Sequence, residues 1–162
     1  MIRNTSAIFL LIMAVVLQAS VLPVHVANPF KPDLLLVAMV YLALRGPVAP
    51  GAFLAWALGL IKDVFSGLYL GLNAFSFLII FLVIKSISDL LYAESGELFV
   101  VTVSAATLAC VTADLILLLM LTNTPGITYS MTAGLLPHLL ANAFAASLVT
   151  LLPVFSLPQE VL

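Results

Sequence analysis

Leu115–Gln159 reads LILLLMLTNTPGITYSMTAGLLPHLLANAFAASLVTLLPVFSLPQ and holds no lysine, arginine, aspartate or glutamate. In water such a stretch would expose more contiguous apolar surface than a soluble monomer carries. A bilayer demands it, because each charge at the midplane costs about 2.5–3.5 kcal/mol on insertion scales. Asn4–Phe30 repeats the pattern. Of the 162 residues 7% are charged and 64% hydrophobic, against roughly 25% charged in an ordinary globular domain. The chain reads as an all-α integral membrane protein, with 1–162 forming a single polytopic membrane domain.

Helix punctuation divides that domain. Arg3 followed by Ala7–Leu17 has the look of a signal peptide. Leu17-Gln18-Ala19 is a poor cleavage site, however, so an uncleaved first helix over Thr5–Leu22 is expected, closed by Pro23. A second helix starts at Pro32-Asp33, with proline near the first helical position and an acid where the dipole favours one. It runs to about Arg45, and Gly46-Pro47 with Pro50-Gly51 reads as a turn. The third helix is expected over Gly51–Phe65, the fourth over Gly71–Leu90, the fifth over Leu98–Leu121 and the sixth over Met131–Leu152. The pattern predicts a six-transmembrane-helix bundle in which helices two and three are short. They either cross a thinned bilayer or form a hairpin that dips in and returns. With a cytoplasmic N-terminus, Arg3, Arg45 and Lys85 fall inside and Lys31 outside. Lys62 is expected to snorkel to the outer surface while Asp63 faces the bundle.

The few polar groups in the helices carry most of the functional information. Asp114 and His138 each fall about 10 Å in from the outer end of their helices, counted at 1.5 Å per residue. Asn142 lies one turn from His138 on the same face. Asp63 and Asn73 flank the break between helices three and four. Helix packing would gather these five groups into one cluster in the outer half of the membrane. Asn73 and Asn142 read most simply as hydrogen bonds that fix helix register. The two acids are different, because an embedded ionisable group marks a functional site by default. For them a structural role and a contact with substrate or partner weigh equally. His138 follows Pro137, which frees a carbonyl one turn earlier, so a local bond and a ligand role also weigh equally.

Gly51, Ala55, Gly59, Asp63, Gly67 and Gly71 recur every four residues, as in a small-residue ridge that lets backbones approach closely. Trp56 reads as packing, and Phe75, Phe77 and Phe81 as core or lipid-facing. The segment Lys85–Glu97 reads as the largest cytoplasmic loop. The net charge of −2 includes no basic tract, so nucleic acid is not expected as a partner. The single cysteine, Cys110, excludes a disulfide framework. There is no phosphate loop, no pair of histidines at metal spacing and no nucleophile elbow, so no enzyme, cofactor or metal is expected.

From Lys31-Pro32-Asp33 through Tyr41–Pro47 and Gly51–Phe75 the chain resembles the MreD family of bacterial rod shape-determining proteins. The likeness rests on the Pro-Asp-Leu helix start and on the D-x-x-x-G-x-x-x-G-x-N pattern formed by Asp63, Gly67, Gly71 and Asn73. It implies a non-enzymatic scaffold of the cell-elongation complex in the inner membrane, with both termini cytoplasmic. Implied partners are membrane lipids, the transmembrane region of MreC, MreB and the rod-complex peptidoglycan synthases. The fold it implies resembles the substrate-binding subunits of energy-coupling-factor transporters. Together with that resemblance, the residue pattern suggests a partner-binding or pocket face of Gly59, Asp63, Gly67, Gly71, Asn73, Asp114, His138 and Asn142, with Pro32 and Asp33 as a helix-start motif. A transport subunit with an outward-facing small-molecule pocket is the alternative.

Overall fold

The computed structural model describes residues 11–26, 30–66, 70–88, 95–121 and 127–151. All regular structure among them is helical. Helix α1 covers Leu11–Val21, is π-helical over Leu17–Val21 and continues as Leu22–His25. Then come α2 (Leu34–Arg45), α3 (Val48–Ser66), α4 (Leu72–Ile87), α5 (Gly96–Leu121) and α6 (Ile127–Thr150). The spans of α3 and of Gly96–Leu117 in α5 are long and apolar enough to cross a membrane, while Leu11–Val21, Leu34–Arg45, Leu72–Ile87 and Gly134–Thr150 are shorter apolar helices.

Several boundaries differ from the sequence reading for identifiable reasons. Pro23 does not end α1: the chain stays helical through His25, with Pro23 directly after the π-helical turn at Leu17–Val21, where the regular α-helical bonding is already interrupted. Pro50-Gly51 is not a turn but part of α3, which starts at Val48 and reaches 19 residues, or about 28 Å. Pro50 is tolerated because it lies in a first turn. Helix α6 begins at Ile127, one turn before the expected Met131.

The centre of the bundle is α2. Seven of its 12 residues are buried: Leu35, Leu36, Val37, Met39, Val40, Ala43 and Leu44. Helices α3, α4, α5 and α6 all touch it. Phe77, Phe81 and Phe99 fill the space beside it, each 1% exposed or less. At 12 residues α2 is only about 18 Å long, so its start lies inside the protein. Asp33, the residue before its first turn, is 2% exposed. At the other end of α2, Lys85 Nζ donates to Gly46 O at 2.9 Å and ties α4 to the α2–α3 turn.

Candidate functional site

A helix that begins inside an apolar bundle has N–H groups that water cannot reach, and each needs an acceptor. At α2 three side chains from three elements supply them. Asp33 N donates to Asn142 Oδ1 (2.6 Å) from α6, Leu34 N to Gln18 Oε1 (3.0 Å) from α1, and Leu36 N to Asp33 Oδ1 (3.1 Å). Gln18 sits within the π-helical turn, where the wider spiral re-aims side chains. Asn142 is fully buried, and its Nδ2 donates to Thr107 Oγ1 (3.0 Å), which in turn donates to Val103 O. Its amide orientation is therefore set, because Asp33 N can only donate.

The same problem recurs at α4, 16 residues long. Its N-cap, Gly71, has φ 98°, a left-handed conformation that favours glycine. Asp63, 2% exposed at the last turn of α3, accepts from Gly71 N (2.9 Å), Asn73 N (2.9 Å), Ala74 N (3.2 Å) and Asn73 Nδ2 (2.9 Å). One carboxylate thus caps the next helix and closes the α3–α4 connection. Gly67 lies outside the described residues.

Lys62 does not snorkel outward as expected. Its Nζ forms an ion pair with Asp33 Oδ2 at 2.7 Å, the two side chains being 24% and 3% exposed. It also sits 5.0 Å from the Phe77 ring centroid. A buried carboxylate attracts the nearest cation, and the start of α2 meets the end of α3 because the two helices form an antiparallel hairpin. That topology was readable in the sequence; the pairing was the signal missed. Ser76, one turn after Asn73, donates to Asp114 Oδ1 at 2.8 Å. His138 Nδ1 lies 3.0 Å from Lys31 O, on the connection before α2, and not at a carbonyl of its own helix.

The glycine ridge is covered by the chain itself. A Cβ at Gly59 would lie 2.4 Å from Ala74 Cα, and one at Gly51 would meet the Phe81 ring at 2.7 Å. Gly51, Ala55, Gly59 and Asp63 are all buried against α4. The expectation that this ridge receives a partner's helix is therefore corrected, since the close approach it permits is made inside the α3–α4 hairpin. Trp56, expected to pack inside, is 41% exposed, and Phe75 is 54% exposed while Phe77 and Phe81 are fully buried.

Asp33, Lys62, Asn73, Asp114 and His138 line one cavity of about 460 Å³, with Leu35, Val111 and Leu135 among its apolar walls. Asp63 and Asn142 do not line it but hydrogen-bond to residues that do, Asn73 and Asp33. The described residues contain no group of three acids, histidines or cysteines able to hold a metal ion.

These features define an apolar helical bundle that buries Asp33, Asp63 and Asp114 around short helix starts. The chain belongs to the MreD family: the model of rod shape-determining protein MreD matches residues 1–161. Membership places it among the bacterial membrane proteins that determine rod shape. No curated protein and no solved structure gives a significant match.

Proposed function

We propose that the chain is a non-enzymatic scaffold of the rod complex that crosses the bacterial inner membrane six times, with both termini cytoplasmic. In this reading it binds the transmembrane region of MreC and thereby helps to maintain rod shape and lateral peptidoglycan synthesis. MreB and the peptidoglycan synthases are further proposed partners, and a likeness to the substrate-binding subunits of energy-coupling-factor transporters is part of the same proposal. The observation that carries the reading is the family match over residues 1–161.

The geometry supports a lateral mode of docking. Most of the embedded polar side chains bond within the chain, and the exposed faces of α3 and α4 are largely apolar. On α3, Phe53 and Trp56 are exposed, with ring centroids 6.1 Å apart. Aromatic side chains of this kind anchor interfaces. Photocrosslinking in living cells tests this. A photoreactive residue at Phe53, Trp56, Phe75 or Ile79 is expected to trap MreC from at least one of these exposed positions, and one at buried Ala55 is expected to trap nothing. Failure at all four exposed positions, with the protein at normal level, would refute MreC docking on these faces.

The cavity favours a second reading, a ligand-binding transport subunit. Uptake of the ligand by cells, lost on deletion of this chain while cell shape is kept, would support it over the scaffold.

A further inference from the structure

We propose that the cavity beside α2 binds a diffusible zwitterion whose two charges are set apart along an apolar chain, as in an ω-amino acid. The inference concerns the cavity alone and does not depend on whether the chain acts as a scaffold or as a transport subunit.

The lining is electrically balanced but not internally paired. Lys31, Lys62, Asp33 and Asp114 share one space of about 460 Å³. Lys62 and Asp33 neutralise each other at 2.7 Å. Lys31 and Asp114 have no ion-pair partner among the described residues. Asp114 is 9% exposed, and Ser76 donates to its Oδ1. Its Oδ2 takes no hydrogen bond from the described residues and, unlike the sealed Asn73 Oδ1, is open to the cavity. A carboxylate this far from bulk water is unfavourable without a counter-charge.

The two unpaired charges stand at different levels of the bundle. Lys31 belongs to the start of α2, where its carbonyl accepts from His138 Nδ1. Gln18 joins it there: Oε1 is taken by Leu34 N, which leaves the amide N–H groups for the cavity. This end therefore offers donors. Asn142 bonds both Asp33 N and Thr107 Oγ1, so α5 passes the start of α2 at Thr107. Asp114, the acceptor, lies two turns further along α5, about 10 Å at 1.5 Å per residue. Leu35, Val111 and Leu135 add apolar wall to the same space. A plain cation suits Asp114 but is repelled by Lys31, and a plain anion meets the reverse. An uncharged molecule would displace water from both ions and give neither a counter-charge. A zwitterion supplies both, with charge-assisted hydrogen bonds at each end, and keeps the cavity neutral. The volume is that of a small-molecule site.

The full chain, purified in neutral detergent and freed of lipid, would be dialysed in turn against radiolabelled 6-aminohexanoate, hexylamine, hexanoate and hexanamide, with protein-free micelles as the blank. The expected result is saturable binding of 6-aminohexanoate, about tenfold tighter than any of the three analogues, as one added charge-assisted hydrogen bond supplies. The variants should give a crossed pattern that a misfolded chain cannot produce. Lys31→Gln should weaken 6-aminohexanoate and tighten hexylamine until the two bind alike. Asp114→Asn should do the same with hexanoate. Val111→Phe, which fills the cavity without touching a polar group, should abolish binding of all four. The compound 2-aminoethyl phosphate, the headgroup of a zwitterionic lipid, holds its charges closer together and should bind more weakly than 6-aminohexanoate. Tighter binding of that headgroup would point to a lipid and overturn the proposal. So would the absence of saturable binding, equal binding of 6-aminohexanoate and hexanamide, or a preference for 6-aminohexanoate that persists in folded Lys31→Gln and Asp114→Asn.

Discussion

The carboxylate of Asp63 receives three backbone N–H groups and one side-chain amide, all from the first turn of α4. Asp63→Leu would leave those donors buried and unmatched, at about 1–3 kcal/mol each. The expected loss is roughly 3–5 kcal/mol, and Asp63→Asn, which keeps one acceptor oxygen, should lose less than half of that. Equilibrium unfolding in mixed micelles would measure both. Rounded cells in an Asp63→Leu strain would therefore report a misfolded subunit and not a lost partner contact. The Asp33–Lys62 pair makes a different prediction. Removing either partner leaves a charge buried without its counterion and should cost about 3 kcal/mol, while Asp33→Asn with Lys62→Met together should cost less than the sum. Additive losses in that cycle would show that the pair is not coupled.

Among the elements, the α3–α4 hairpin sets the tightest constraint. A methyl at Gly59 meets the α4 backbone at 2.4 Å, where no side chain can move aside, whereas a methyl at Gly71 meets open space and bears only the left-handed φ of 98°. Gly71→Ala should cost about 1–2 kcal/mol, and Gly59→Ala clearly more, because the two helices must separate along their length. Equal melting temperatures for the two variants would contradict this packing. The sequence made six helices legible because breaks at Gly46-Pro47 and after Ser66 are local signals. The four-residue recurrence of Gly51, Ala55 and Gly59 marked a close helix contact, but recurrence within one segment carries no information about whether the facing helix belongs to the same chain. The polar cluster was legible from depth counting along each helix. Its pairings were not: Gln18 reaches Leu34 only through a π-helical turn that no residue pattern announces, and Asn142 meets Asp33 across a separation of 109 residues.

For the whole molecule, the ends of the bundle are chemically unlike. Asp33, Lys62, Asp63 and Asn73 gather at one, and Lys85 bonds Gly46 at the other. The six-crossing proposal expects residues at the two ends of α3 to face opposite compartments. Cys110 is the chain's only cysteine and is 2% exposed, so introduced thiols can be read against a silent background. Val48→Cys and Leu70→Cys, both at exposed positions, should react with an impermeant maleimide from the cytoplasmic and periplasmic side respectively. Labelling of both from one side would mean that α2 and α3 dip in and return.

The cap that Asp63 places on α4 also bears on biogenesis. Until Gly71, Asn73 and Ala74 have left the ribosome, the carboxylate at the end of α3 has none of its four donors. The translocon would then be asked to release a bare anion into lipid, so α3 and α4 are expected to leave it laterally as one unit. Nascent chains in which Ser66 but not Ala74 has emerged should keep α3 crosslinkable to the translocon, and those in which Ile87 has emerged should have released it to lipid.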